Sequence, residues 1–135
     1  MTDDLVIHVD GACRGNPGPS AVGVLIQDKA GQTLAEISDC IGVATNNIAE
    51  YTSLIFALQE AVFLKAKKVD LFTDSQLMAR QMSGEYKVKD ANIKIVHCIA
   101  KKLTKYFNHC SITHVPREKN KEADKLAGNA IKNLV

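Results

Sequence analysis

The sequence predicts an α/β fold: a mixed five-stranded sheet, three antiparallel strands and then parallel ones, with helices on both faces. Three observations predict it. Residues 5–41 carry three apolar runs joined by short glycine-containing turns, and connections that short imply antiparallel neighbours. Beyond them, stretches of helical periodicity alternate with two short strand-like runs, the pattern of strand–helix–strand crossovers. The chain has 135 residues, enough for one core, so residues 1–135 are expected to form a single domain.

The elements follow in order. Residues 5–10, 21–28 and 32–41 read as strands, with turns at 15–18 and 30–31. Asn46 to Ala66 reads as a long helix with the apolar row Tyr51, Leu54, Ile55, Leu58, Ala61 and Val62. Val69 to Thr73 is a short strand, and Ser75 to Met82 a short helix capped by Asp74 or Ser75. The charged turn "SGEYKVKD" leads into a helix over Ala91 to Phe107 carrying Ile95, Ile99 and Leu103. Ser111 to Val115 is the last strand, ended by Pro116. Lys119 to Leu134 is the last helix, with apolar Ala123, Leu126, Ala127, Ala130 and Ile131.

Composition excludes several classes. The longest apolar run is a few residues, so no membrane span is expected, and the acidic start Met1-Thr2-Asp3-Asp4 is no signal peptide. The protein is expected in the cytoplasm, as a monomer. Seventeen basic and 15 acidic residues leave a net charge of +2, so bulk charge alone does not hold it to nucleic acid. The four cysteines form no C-x-x-C pair and are expected reduced. His97-Cys98 and His109-Cys110 match no zinc spacing, fall in a helical or turn context, and are assigned to packing.

Four carboxylates stand in awkward places. Asp10 ends the first strand and Asp74 the fourth, and ligands of open α/β sheets sit beyond the carboxyl ends of strands. Glu50 interrupts the apolar row of the long helix, four residues before Leu54, and Asp124 lies in line with Ala127 and Ile131. Singly, each has a bland explanation: a turn residue, a helix cap, or an acid near a helix dipole. Together they would repel one another unless cations neutralise them. Hard oxygen ligands suit Mg²⁺ or Mn²⁺, and two such ions about 4 Å apart form a clamp for in-line displacement at phosphorus. The glycine-rich stretch after Asp10 is neither a P-loop nor G-x-G-x-x-G, and Ala12 rules out a D-x-D signature.

The blocks "VDGACRGNPGPSAVGVLI", "TNNIAEYTSLIFAL", "FTDSQLMARQMSGEYKVK" and "HVPREKNKEADKLA" resemble, in order and spacing, the four signature blocks of type 1 ribonuclease H. The resemblance covers nearly the whole chain. It implies the ribonuclease H-like fold and cleavage of the RNA strand of RNA/DNA hybrids, leaving 5′-phosphate and 3′-hydroxyl ends. It implies two Mg²⁺ ions with substrate bound, Mn²⁺ as substitute, and Asp10, Glu50, Asp74 and Asp124 as ligands. Gly11, Cys13, Arg14 and Asn16 correspond to contacts with the RNA strand. Asn46, Asn47 and Gln76 correspond to minor-groove contacts, and Thr45 to a hydroxyl on a DNA phosphate. Many members place a basic residue two positions before that hydroxyl, where this chain has Val43.

Three departures from the pattern set further expectations. The extra basic helix that grips the hybrid in many members does not fit into "SGEYKVKDANIK", so Lys87 and Lys89 are taken as a reduced substitute. Binding is then expected to be weaker, with a shallow salt dependence. The chain is expected to be a compact form that also lacks a hybrid-binding domain. Many members carry a mobile histidine ten residues before the last aspartate. Here that position is His114, which reads as strand end; of the two candidates for the helper role, Arg117 in the following loop is favoured over His114, since a loop residue can reach where a strand residue does not. The competing account is a weak or inactive nucleic-acid-binding module on the same fold, for which a lost carboxylate would be the sign. A third is another nuclease on this fold, acting on DNA junctions or double-stranded RNA, which the intact TNN and DSQ blocks disfavour.

Overall fold

In the computed structural model, which describes residues 3–133, the strands are β1 (Asp4–Cys13), β2 (Gly18–Asp28), β3 (Thr33–Ala44), β4 (Lys68–Thr73) and β5 (His109–His114). They lie in the order β3-β2-β1-β4-β5. The pairs β1–β2 and β2–β3 are antiparallel, and β1–β4 and β4–β5 parallel. The helices are α1 (Asn46–Phe63), α2 (Gln76–Met82), α3 (Ala91–Thr104) and α4 (Lys121–Lys132), with a 3₁₀ turn at Arg117–Lys119. The predicted architecture is the one observed.

Strand alternation sorts the two faces of β1. Leu5, Ile7 and Val9 are fully buried and meet Tyr51, Leu54, Leu58 and Ala61 of α1. Each such side chain contributes about 1.5–3 kcal/mol by leaving water. The opposite face of β1 and β2 receives α4 through Ala123, Ala127 and Ala130. Side-chain caps fix where the first three helices begin. Thr45 Oγ1 accepts from the Ile48 amide (3.2 Å), Ser75 Oγ from that of Met78 (3.2 Å), and Asp90 Oδ1 from that of Asn92 (2.8 Å).

Several boundaries differ from the sequence reading. β1 does not end at Asp10: Gly11, Ala12 and Cys13 continue to pair with Val22, Ala21 and Ser20. What stops at Val9 is the parallel pairing with β4, at Val9 opposite Thr73. Asp10 therefore sits where the sheet opens on one side only, a long-range event that local pattern does not record. α1 stops at Phe63 and α3 at Thr104, and both β2 and β3 extend beyond their expected limits. Glu50 falls in the second turn of α1, outside the first-turn dipole zone. His109-Cys110 begins β5 instead of lying in a turn. α4 starts at Lys121, after the 3₁₀ turn, and its expected end at Leu134 lies outside the described residues.

The packed face of α3 is also different. Ile93 and Ala100 are buried and Val96 and Leu103 pack beside them, whereas Ile95 and Ile99 are 62% and 43% exposed. Rows 93-96-100-103 and 95-99-103 both satisfy the helical period, and the partner surface on α1 selects the first.

Candidate active site

The site forms where β1 parts from β4. Asp10 projects there and is 5% exposed. Asp74 follows directly on the end of β4, and Ser75 after it caps α2. The far end of α2 is pinned: Tyr51 Oη donates to Gln81 Oε1 at 2.8 Å, and His97 Nε2 lies 3.2 Å from the Gln81 carbonyl.

Two glycines bring the remaining acids in from opposite faces. A Cβ on Gly11 would lie 2.4 Å from the Ala49 carbonyl carbon and 2.5 Å from the Glu50 nitrogen. The absence of that Cβ lets the α1 backbone rest on β1. The Gly11 amide in turn donates to Glu50 Oε1 and aims the carboxylate at Asp10. Gly23 faces Asp10 across the β1–β2 ladder. A Cβ there would lie 2.1 Å from the Ala123 carbonyl oxygen and 2.5 Å from the Ala127 nitrogen, so Gly23 is the seat of α4 and sets the height of Asp124.

One carboxylate oxygen from each of Asp10, Glu50 and Asp74 lies within 4.8 Å of the others, and this is the cluster of its kind among the described residues. Burial, then the charges of Glu50 and Asp74, push the Asp10 carboxyl up from 3.8 to about 10; hydrogen bonds with Asp124 and Glu50 act in the same direction. Burial raises Glu50 to about 7, the Gly11 amide opposing it. Asp74 is raised by burial and by the charge of Asp124, with Arg117 pulling the other way. Without cations this group relieves its repulsion by holding protons.

The donors fit hard divalent cations. They are all oxygens and all acidic, and the nearby Cys13 thiol is turned to backbone carbonyls, among them Ala44 at 3.2 Å. An all-carboxylate set suits hard divalent cations better than zinc, which favours thiolate and imidazole. The carboxylates floor a cleft of about 650 Å³ whose walls include Asn46, Asn47, Ser75 and Arg117. Arg117 Nη2 reaches Asp124 Oδ1 at 3.4 Å and keeps a largely exposed guanidinium at the rim.

The reverse transcriptase-like family profile matches residues 8–130. The structure of RNase H1 from the halophilic archaeon Halobacterium salinarum superposes with a TM-score of 0.94 at 41% identity, over 97% of this chain and 99% of that one. The chain belongs to the type 1 ribonuclease H family. LC11-RNase H1, crystallised in complex with an RNA/DNA hybrid, is a second family structure, with a TM-score of 0.89 at 41% identity over 95% of this chain and 96% of its own. Ribonuclease HI of Halobacterium salinarum is 44% identical over 92% of this chain. The chain spans 62% of that protein's length and 35% of the length of its mycobacterial relatives.

The remaining residues singled out by the family resemblance divide in two. Gly11, Cys13, Asn46, Asn47 and Arg117 line the cleft together with the four carboxylates. The others lie outside that lining. Arg14 Nη2 donates to the Ile131 carbonyl at the end of α4, 3.0 Å away. Asn16 Oδ1 accepts from the Asn46 amide at 3.0 Å, tying the glycine-rich turn to the start of α1, where Thr45 is the cap. Gln76 opens α2, and Lys87 and Lys89 lie on the segment between α2 and α3. Val43 is 75% exposed. His114 ends β5 opposite Thr73, away from the cleft lining that holds Arg117. Ala12 and Ser75 escaped the sequence reading as parts of the site: both line the cleft, and T-D-S could have signalled the serine. Gly11, expected as a substrate contact, also serves helix packing.

Proposed function

We propose that this chain is an endoribonuclease that hydrolyses the RNA strand of RNA/DNA hybrids, leaving 5′-phosphate and 3′-hydroxyl ends. The observation that carries the reading is the convergence of four carboxylates at the point where β1 and β4 separate, under a cleft walled by amides and an arginine. Membership of the type 1 ribonuclease H family and the hybrid-bound LC11 relative support it.

In this reading Asp10, Glu50, Asp74 and Asp124 hold two Mg²⁺ ions, or Mn²⁺ in their place. Bound there, such ions would lower the pKa of water and supply positive charge for a displacement at phosphorus. The chain's own residues supply position. The Gly11 amide and the two glycine seats fix the ligand spacing, so little reorganisation remains for the reaction step. Arg117 offers its guanidinium to the scissile phosphate. Asn46, Asn47 and Gln76 read the minor groove, where an A-like duplex displays the 2′-hydroxyls that separate RNA from DNA. Amides both donate and accept, which suits sugars and base edges of any sequence. Gly11, Cys13, Arg14 and Asn16 contact the RNA strand, Thr45 a DNA phosphate, and Lys87 and Lys89 the flanking backbone. With so few basic contacts, affinity depends shallowly on salt. The protein acts as a cytoplasmic monomer; no helix among the described residues is long and apolar enough to cross a membrane.

The test is cleavage of an end-labelled RNA/DNA hybrid in Mg²⁺ and in Mn²⁺, beside single-stranded RNA, double-stranded RNA and duplex DNA. Cleavage confined to the RNA of the hybrid and abolished by Asp10→Asn is the expected result. Binding of the hybrid with no cleavage in either metal would replace the enzyme by a binding module.

A further inference from the structure

Asn120 stands between the 3₁₀ turn and α4 and is 1% exposed. Its place before a helix suggests a cap, yet its side chain makes no capping hydrogen bond. The amide is turned inward. Its Nδ2 donates to the Val9 carbonyl at 2.8 Å, and that carbonyl belongs to the peptide unit joining Val9 to Asp10. The Asn120 main-chain carbonyl accepts from the Asp124 amide at 3.1 Å. One residue is thus bonded through its side chain to the peptide that carries Asp10 and through its backbone to Asp124.

The rest of the geometry isolates what the amide does. The orientation is unambiguous, because a swapped amide would set two acceptors 2.8 Å apart. Its Oδ1 is buried without a protein partner. A buried acceptor left unpaired is destabilising, so Asn120 is a poor choice for packing alone and is explained by its donor. Other contacts hold α4 against different elements. Ser38 Oγ donates to the Leu126 carbonyl at 2.6 Å, Cys40 Sγ to that of Ala130 at 3.2 Å, and Arg14 to that of Ile131. Those three fix the helix to β3 and to the turn after β1. Asn120 ties it to β1 at the residue before Asp10.

We propose that Asn120 is a positioning residue that sets the spacing between Asp10 and Asp124, and through it the fit of the carboxylate ring to divalent cations. The kinetic part rests on the ribonuclease reading; the cation-binding part stands apart from it. Groups that orient metal ligands typically cost 10–100-fold in affinity or activity when removed.

The test compares wild type, Asn120→Ala and Ser38→Ala, the last removing a tie of α4 that touches no carboxylate. Mn²⁺ affinity of the substrate-free protein is measured by calorimetry, stability by urea unfolding, and kcat and KM on the hybrid. For Asn120→Ala, Mn²⁺ binding about tenfold weaker is expected, with kcat down tenfold or more and KM within twofold. Ser38→Ala is expected to lose stability and keep wild-type Mn²⁺ affinity. If Asn120→Ala loses stability but binds Mn²⁺ as the wild type does, Asn120 is structural and the proposal fails. A raised KM with unchanged kcat would make it a substrate contact, which also overturns it. Should Asn120→Ala not fold, Asn120→Ser leaves a smaller void and is measured in the same way. If the wild type cleaves no hybrid, the ribonuclease reading falls, while the Mn²⁺ affinities still decide the role of Asn120.

Discussion

Replacing Asp10 by asparagine should stabilise the ion-free protein at neutral pH while removing its activity. Asp10 is 5% exposed, and burial together with Glu50 and Asp74 pushes its carboxyl from 3.8 to about 10. In the unfolded chain the same group ionises near its ordinary value. Between those two values the folded protein binds the extra proton, so stability is full below about pH 4 and falls as pH rises toward 10. At pH 7 about three pH units of that window have been crossed, at about 1.4 kcal/mol per unit, which gives about 4 kcal/mol. Glu50 and Asp74 keep part of the strain, so Asp10→Asn should recover about 2–4 kcal/mol. For a chain of 135 residues each kcal/mol moves the midpoint by about 3–4 °C, so Tm should rise by about 6–16 °C. The assay is thermal unfolding followed by circular dichroism in EDTA at pH 7 and at pH 4. At pH 4 the two proteins should melt within a few degrees of each other. Equal differences at both pH values, or a wild type more stable than the variant at pH 7, would refute the electrostatic reasoning.

Other perturbations probe the rest of the frame. Gly23→Ala drives a Cβ into the Ala123 carbonyl, 2.1 Å away, and should cost about 3 kcal/mol in urea unfolding, with kcat falling as Asp124 lifts. On the proposed role of Arg117 at the scissile phosphate, Arg117→Ala should lower kcat at least tenfold with little change in KM; steady-state kinetics on the hybrid decide it. Lys65 follows the end of α1 with φ 63°, the left-handed region that favours glycine. Lys65→Gly should therefore stabilise by about 0.5–1 kcal/mol, read as a small rise in Tm with unchanged activity.

The element order and the four acids were legible in the sequence because their signals are local. Alternating Leu5, Ile7 and Val9, the glycine–proline cluster after Cys13 and the acid interrupting the row of Tyr51 and Leu54 each declare themselves within a few residues. What stayed hidden depends on partners far along the chain. The end of β1–β4 pairing at Val9 is set by where β4 stops, some sixty residues later. Gly11 and Gly23 look like ordinary turn and strand glycines until α1 and α4 are laid across them. The choice between two faces of α3 was made by α1. Asn120 is a generic residue for the start of a helix, and only the carbonyl of Val9 reveals why an amide stands there.

The two glycine seats have a consequence for how the protein tolerates change. The approach of α1 and α4 to the sheet is gauged by main chain resting on main chain, and such a gauge has no rotamers to adjust. The outward faces of both helices are therefore free to be rewritten in charge and solubility without altering the distance between the acids. The same stop works against repair: once a methyl group is introduced at either seat, no rearrangement of side chains elsewhere restores the original spacing.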